Sequence, residues 1–174
     1  MAEPAALSPH DVAALLRAVG AQLVAELGAL PEVVVRYHPA AGEWCAKEVV
    51  GHLIEAERRG FAGRIRTLLA EDRPTFVGWE PADVARERND CTRDARELLV
   101  EFGALRDESA DLVIGLRPSD LTRGGDHPKV GVLTVRDLLN EWVHHDRNHV
   151  RQIHANVQSF VWPHMGNAQR FSQP

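Results

Sequence analysis

Two histidines in the C-terminal third of the chain have a spacing that could bind one metal ion. His145 and His149 lie four positions apart in Glu141–Val150, a segment with helical composition. Side chains at i and i+4 lie on the same face of a helix, so both imidazoles could reach the same ion. Two ligands seldom hold a metal tightly, and we therefore expect a third ligand from another part of the chain.

His52 is the best candidate for this third ligand. It lies in the apolar helical segment Glu48–Ile54, on a strip of mostly small residues that would let a neighbouring helix come close. We therefore expect His52 to point into the protein. Three neutral histidines with an open coordination position are typical of a reactive metal centre rather than a purely structural one. The alternative is that all three are buried histidines held by ordinary hydrogen bonds.

His144 and Asp146, which flank His145, need separate interpretation. His144 points to a different side of the helix from His145, so we assign it to the solvent face or to an edge of the site. The pattern His145-Asp146-x-x-His149 also invites comparison with the H-E-x-x-H motif of zinc proteases, which requires glutamate as its general base. Because Asp146 is one methylene shorter, a zinc protease is the least favoured interpretation. The other histidines are expected to lie outside the site: His10, His38, His127, His154 and His164.

Three residues near the candidate ligands could support them. Metal-bound histidine usually donates its other ring N–H to a carboxylate, a carbonyl or water. Glu55, Glu141 and Gln152 each lie about one helical turn from a candidate ligand. We therefore expect them around the site, with the alternative that each is an ordinary surface residue.

The composition of the chain limits the classes of protein to which it could belong. The 174 residues suit one domain over 1–174, and the net charge of −5 without a basic run argues against nucleic-acid binding. Cys45 and Cys91 are too few for a disulfide framework. The N-terminus lacks the pattern of a signal peptide, and no apolar run is long enough for a membrane helix. We therefore expect a soluble cytoplasmic protein without membrane contact.

Apolar periodicity predicts an all-α protein, a four-helix bundle with its core over about residues 8–160. The predicted helices run from Ser8 to Leu30, from about Trp44 to Leu69, from about Val84 to Leu116 and from Thr134 to Val157. The segment between helices 2 and 3, residues 70–83, is long for a link between neighbouring antiparallel helices, so we predict a crossover between parallel helices. The glycine-rich segment 121–133 is expected to be a loop, because no strand alternation is evident.

Short motifs in three places resemble the DinB-like superfamily, also called the bacillithiol-transferase-like fold. Trp44–Leu53 resembles the W…E-V-x-x-H-L signature of that family, with His52 at the histidine position. Leu133–Leu139 resembles the start of its fourth helix, and His145–Ile153 resembles its H-D-x-x-H-x-x-Q-I signature. The motifs are short, but their order and separation are fairly specific.

The resemblance implies a fold, a ligand set and a range of activities. The fold would be an up-down-down-up four-helix bundle, which suits the long connection between helices 2 and 3. The ligands of a divalent metal would be His52, His145 and His149. Relatives in this family include thiol-dependent S-transferases and a mycothiol-dependent isomerase, many of them dimeric, while many members have no known reaction.

Two functional hypotheses follow. The first is a metal-dependent enzyme, a thiol S-transferase or a hydrolase, which activates a low-molecular-weight thiol or water at the three-histidine site. The second is a non-catalytic metal-binding module of a stress response, and an open pocket over the metal would favour the enzyme. Zinc or nickel is the preferred ion, with iron or manganese as alternatives. We also predict a homodimer, from apolar residues outside the regular helix stripes: Leu15, Val24, Trp79 and Phe160–Pro163.

Overall fold

The computed structural model of the chain describes residues 6–172. Its helices are α1 (Pro9–Ala29), α2 (Glu32–Val35), α3 (Ala46–Glu55), α4 (Phe61–Ala70), α5 (Pro81–Arg88), α6 (Ala95–Ile114) and α7 (Val135–Val161), and its strands are β1 (Gly124–His127) and β2 (Gly131–Thr134). A π-helical turn, Ala56–Gly60, joins α3 to α4, and 3-10 turns lie at Asp90–Thr92, Pro118–Thr122, Trp162–His164 and Gly166–Phe171.

Side-chain caps fix the starts of the two helices that flank the bundle in sequence. Ser8 forms a capping box with Asp11 at the start of α1, and Thr134 forms one with Asp137 at the start of α7. Each box satisfies backbone N–H groups that have no partner within the helix. Both helix starts predicted from the sequence are therefore confirmed.

Two apolar clusters show how the four long elements run. The first cluster takes Val12 and Leu16 from α1, Ile65 and Leu68 from α4, Ala110 and Val113 from α6, and Val135 and Leu138 from α7. The second takes Leu23 and Leu27 from α1, Val49 and Val50 from α3, Leu98 and Phe102 from α6, and Val150 and Ile153 from α7. Helices α1 and α7 thus run from the first cluster to the second, while α3–α4 and α6 run the opposite way. This is the up-down-down-up order, and the expected all-α bundle is confirmed.

The predicted third helix is wrong in its first part. Instead of one helix from Val84 to Leu116, α5 ends at Arg88, and Asn89 takes a left-handed conformation with φ of 50°. Asp94 then caps α6 through its side chain. The break is stabilised by the buried carboxylate of Asp90, which accepts hydrogen bonds from Arg88 (2.6 and 3.0 Å) and packs against Gly51. The apolar spacing continues through this segment, which is why periodicity alone missed the break.

The glycine-rich segment 121–133 is also more ordered than expected. It contains the antiparallel hairpin β1–β2, with Gly125 opposite Leu133, and Thr75 forms a parallel bridge to Asp126. A Cβ atom on Gly125 would lie 2.6 Å from the carbonyl oxygen of Pro74, so only glycine allows this approach. The hairpin therefore fixes part of the connection between α4 and α5 over one end of the bundle.

Helix α1 has an apolar composition, and its packing in the bundle explains one face of it. Within residues 6–172 it is the one helix long and apolar enough, by composition alone, to span a membrane. Its buried apolar side chains, among them Leu16, Leu23 and Leu27, lie in the two clusters described above, whereas Val24 is exposed, and Arg17 pairs with Asp111 of α6 at 2.5 Å. Its place in the bundle therefore accounts for the apolar face that packs on the core.

Candidate metal centre

Three imidazoles from two helices converge inside the bundle. His52 comes from α3, and His145 and His149 come from α7. One ring nitrogen of each lies within 4.8 Å of those of the other two, and the Nε2 atoms of His52 and His145 are 3.0 Å apart. His52 is only 8% exposed, and the other two are half-buried. The structure thus brings together the three histidines selected from the sequence.

Aromatic rings enclose this cluster. The ring centroids of Trp44 and Trp79 lie 5.2 and 5.7 Å from that of His52. The ring of Phe61 lies 5.1 Å from that of His145 and stacks on the other side with Trp142. Apolar walls lower the local dielectric and limit the access of water, which strengthens any electrostatic interaction at the imidazoles.

The surroundings keep His52 and His149 uncharged. Burial, together with the neighbouring His149 and His145, lowers the pKa of His52 to about 3. Burial and His145 also hold the pKa of His149 below its ordinary value. At neutral pH these two imidazoles are therefore neutral and keep a lone pair, as metal binding requires.

The donor set fits a divalent transition metal. Three nitrogen ligands suit zinc or nickel better than magnesium or calcium, which prefer oxygen. The Nδ1 atoms of His52 and His145 are buried and have no hydrogen-bond partner within residues 6–172. The Nε2 atoms of the same two rings lie only 3.0 Å apart, so a cation bound between them would be an attractive partner for their lone pairs.

The three predicted supporting residues differ in position. Gln152 lies one turn after His149, and its Oε1 atom is 2.9 Å from the Nδ1 atom of that ring. Glu141 lines the cleft beside His52 and His145. Glu55 points elsewhere, because its carboxylate pairs with Arg88 at 2.7 Å and with Arg59 at 2.5 Å. Only Gln152 and Glu141 thus lie where they could act on the site.

The positions of His144 and Asp146 argue against a zinc protease. His144 is exposed and contacts Asn148 of the same helix at 3.3 Å, as expected for the solvent face. Asp146 is 1% exposed and forms a bidentate ion pair with Arg106, at 2.7 and 3.2 Å. A buried carboxylate held by a guanidinium cannot reach a water in the cleft, so Asp146 is not a general base.

A cleft of about 240 Å³ leads from the surface to the imidazoles. His52 and His145 lie in its wall, next to the apolar side chains of Phe61, Trp79, Leu133 and Leu138. Its charged lining residues are Arg64, Asp137 and Glu141. A space of this size takes a small molecule and places it directly against the imidazoles.

Arg64 is a residue of the cleft that the sequence analysis missed. Its Nη2 atom lies 3.2 Å from the Nε2 atom of His127, and its buried Nε atom has no hydrogen-bond partner in the part of the chain described. No carboxylate of residues 6–172 lies within ion-pair distance of it. The side chain comes from α4 and meets a histidine of β1, a non-local contact that no sequence spacing signals.

The bundle and the three-histidine cluster are features of one protein family. The sequence profile of the DinB superfamily matches residues 5–153, and the chain belongs to that family. Its relatives include the uncharacterized protein YuaE of Bacillus subtilis, 24% identical over 74% of this chain and 86% of YuaE. A protein of Bacillus mycoides provisionally named as a metal-dependent hydrolase is 23% identical over 70% of this chain and 69% of its own length.

The fold is also similar to that of a solved structure. YfiT from Bacillus subtilis, described as a probable metal-dependent hydrolase with an unusual four-helix bundle topology, superposes with a TM-score of 0.81. The match covers 93% of this chain and 94% of YfiT at 19% sequence identity. At this identity the likeness establishes the shared bundle.

Proposed function

We propose that this protein is a metal-dependent enzyme that activates a small nucleophile, either water or a low-molecular-weight thiol, at His52, His145 and His149. The observation that carries the proposal is the cleft, which brings a small molecule to the imidazoles. Relatives named as metal-dependent hydrolases support the same class of activity. A non-catalytic metal-binding module would instead be expected to enclose its ion completely.

The proposed cofactor is a divalent ion, zinc or nickel in preference to iron or manganese. Held by three neutral imidazoles, such an ion supplies Lewis acidity, which lowers the pKa of water or of a thiol. Gln152 holds the ring of His149 in one orientation through its contact with Nδ1. Trp44 and Trp79 limit the access of bulk water to His52.

We assign the proton transfer to Glu141. Of the two carboxylates in the cleft, Asp137 is engaged in capping α7, where it accepts hydrogen bonds from the backbone N–H and the hydroxyl of Thr134 at 2.9 and 2.7 Å. Glu141 has no hydrogen-bond or ion-pair partner within residues 6–172, and it lies one turn before His145 on the cleft wall. It is thus free to accept the proton that the nucleophile loses.

We assign substrate recognition to Arg64. A guanidinium in a partly apolar cleft without a carboxylate partner offers charge-assisted hydrogen bonds to an anionic group. The proposed substrate is therefore a small molecule with a carboxylate or phosphate at one end and an apolar portion that packs against Phe61 and Trp79. The reactive carbon or acyl group would lie between the two, against the imidazoles.

The protein loaded with zinc or nickel should be assayed with a panel of anionic esters, with and without added thiols. Product analysis separates hydrolysis from formation of a thioether or thioester. We expect turnover that is lost in metal-free protein and in His145→Ala, reduced at least about a hundredfold in kcat by Glu141→Gln, and weakened mainly in KM by Arg64→Ala. No rate above that of metal-free protein with any substrate or thiol would contradict the proposal.

The proposed setting is the reducing cytoplasm. Cys45 and Cys91 are both free thiols, and a low-molecular-weight thiol would be available there as a nucleophile.

A further inference from the structure

A second group of potential metal ligands lies near the start of α3. His38 comes from the connection after α2, Cys45 and Glu48 from the start of α3, and Cys91 from the turn between α5 and α6. One donor atom of each lies within 4.8 Å of those of the other three. The sulfur atoms of Cys45 and Cys91 are 2.9 Å apart, and the Nε2 atom of His38 is 3.4 Å from the sulfur of Cys91. Three separate segments thus meet at this point.

His38 is held in the orientation that a metal ligand needs. Its Nδ1 atom lies 2.8 Å from the carbonyl oxygen of Glu43, to which it can donate its proton. The proton on Nδ1 leaves a lone pair on Nε2, the atom that lies 3.4 Å from the sulfur of Cys91. Metal-bound histidines in proteins typically have this arrangement, with the far ring nitrogen donating to a carbonyl or carboxylate.

The other three donors are positioned by helix ends. Cys45 is fully buried at the N-terminus of α3, where its backbone N–H donates to Oε2 of Glu48 at 2.8 Å. The same carboxylate oxygen lies 3.6 Å from Nδ1 of His38. Cys91 is brought to Cys45 by the break after Asn89, the feature that interrupts the predicted third helix. The unexpected turn between α5 and α6 therefore has the effect of completing this cluster.

We propose that His38, Cys45, Glu48 and Cys91 bind a structural zinc ion, separate from the three-histidine centre. Two thiolates, one imidazole and one carboxylate make a four-ligand set of the kind that zinc accepts in tetrahedral geometry. The sulfur ligands select zinc over magnesium or calcium. Such an ion would join the segment before α3 to the junction of α5 and α6, and it would stabilise the folded chain by cross-linking them.

A disulfide between Cys45 and Cys91 is the competing interpretation. The sulfur separation of 2.9 Å exceeds the 2.03–2.05 Å of a disulfide bond. It is shorter than the roughly 3.8 Å between two sulfurs on a tetrahedral zinc ion, estimated from Zn–S bonds of about 2.3 Å. Either state needs a shift of under about 1 Å. The orientation of His38 and the position of Glu48 favour the metal, because a disulfide would use neither of them.

Cobalt substitution in the full-length, reduced protein tests this site. Thiolate ligands give Co²⁺ a charge-transfer band in the near ultraviolet, which imidazole ligands alone do not give. We expect this band in the wild-type protein and its loss in Cys91→Ser, a variant chosen because Cys91 is only half-buried, whereas Cys45 is buried at a helix start. His38→Ala should weaken binding of the thiolate-bound ion at least about tenfold, and His164→Ala, an exposed control, should leave it unchanged.

The two proposed sites are distinguished by their variants. His145→Ala should keep the thiolate band, because it alters only the three-histidine centre, so failure of the proposed enzyme would leave this result intact. Absence of the band in reduced wild-type protein, or its persistence in Cys91→Ser, would overturn the zinc site. A Cys45–Cys91 disulfide in protein purified without reductant, together with no band after reduction, would overturn it in favour of a redox pair.

Discussion

Asp146 and Arg106 form a bidentate ion pair in the interior of the bundle, with oxygen–nitrogen distances of 2.7 and 3.2 Å. Asp146 directly follows His145 in the chain, and its Oδ1 atom lies 4.0 Å from Nδ1 of that ring, while the carboxylate is held by Arg106 of α6. The pair therefore fixes the rotation of α7 about its axis, and this rotation turns His145 and His149 towards His52. In the H-D-x-x-H pattern of this chain, the aspartate is a positioning residue.

Arg106→Met is expected to destabilise the protein strongly. Arg106 also pairs with Glu57 at 2.9 Å, and all three side chains are 1% exposed, so its removal leaves two buried carboxylates without a cation. Removal of one partner of a buried ion pair lowers the free energy of unfolding by about 3–5 kcal/mol. Urea denaturation measures the change. Arg17→Met, which removes an ion pair with the exposed Asp111, is the matched control and should cost less than about 1 kcal/mol.

The stability of the protein should depend on the protonation of Glu57. Burial raises the pKa of Glu57 from 4.5 to about 7, because Arg106 shares its single charge with Asp146 and only partly offsets the loss of hydration. The folded state therefore binds this proton more tightly than the unfolded chain. The stability that this tighter proton binding gives to the folded state is fully present below about pH 4.5 and is lost as the pH rises through about 7.

Comparison with Glu57→Gln isolates this effect, because glutamine cannot ionise and the other titrations are common to both proteins. Between pH 4.5 and 8 the free energy of unfolding of the wild type should fall relative to the variant by up to about 3 kcal/mol. A constant difference across this range would contradict the prediction, because it would show that folding does not raise the pKa of Glu57.

Metal binding should depend on each of the three imidazoles of the cluster and not on the neighbouring His144. Replacement of His52, His145 or His149 by alanine should remove most of the ion from the three-histidine centre, because two remaining imidazoles are a weak chelate. His144→Ala should retain it, since that ring lies on the solvent face. Metal analysis of protein purified without a histidine tag, in a Cys91→Ser background, measures this centre alone. Equal losses from His144→Ala and His145→Ala would contradict the assignment.

Gln152 should affect the affinity for the metal without being a ligand. Its Oε1 atom lies 2.9 Å from Nδ1 of His149 and can accept the proton of that nitrogen. Loss of such a contact typically lowers metal affinity about 10–100-fold. Competition with a chromophoric chelator would give the dissociation constants of the wild type and Gln152→Ala. Gln158→Ala, an exposed position on the same helix, is the control, and equal affinities for wild type and Gln152→Ala would remove Gln152 from the site.

Homodimer formation remains a prediction, but fewer of the residues proposed for its interface are available than we expected from the sequence. Trp79 is not free to form an interface, because it packs on His52 in the cleft, and Phe160 packs on Tyr37. Val24 and Trp162 are 38% and 39% exposed and remain candidates. Light scattering should give twice the monomer mass of 19.3 kDa. The monomer mass across a wide concentration range would contradict the dimer.

Local signals allowed much of the bundle and its central cluster to be predicted. The caps at Ser8 and Thr134 and the four-residue spacing of His145 and His149 depend on neighbours in sequence, and each appears in the structure. The third histidine could be selected because His52 lies on an apolar helix, where a polar side chain needs a partner.

The features that were missed depend on contacts between distant segments. His38 and Cys91 are 53 positions apart and meet where the left-handed conformation of Asn89 ends α5 before α6 begins. Arg64 and His127 are 63 positions apart and meet because the hairpin folds over the end of the bundle. Neither pair shares a periodic pattern: His38 and His127 were expected in loops, and Cys91 on the apolar stripe of the predicted third helix.

The π-helical turn between α3 and α4 accommodates one extra residue within an otherwise continuous helix. His52 and Arg64 are separated by 12 positions, which is about 3.3 turns of a regular α-helix and would direct them about a third of a turn apart. A turn bonded from i to i+5 takes up one extra residue, so the effective separation is about 3.1 turns. The imidazole and the guanidinium therefore share one face and one cleft. If Ala56–Gly60 formed regular α-helical turns of the same length, the two side chains would instead lie about a third of a turn apart, on different faces of the helix, with the sequence unchanged.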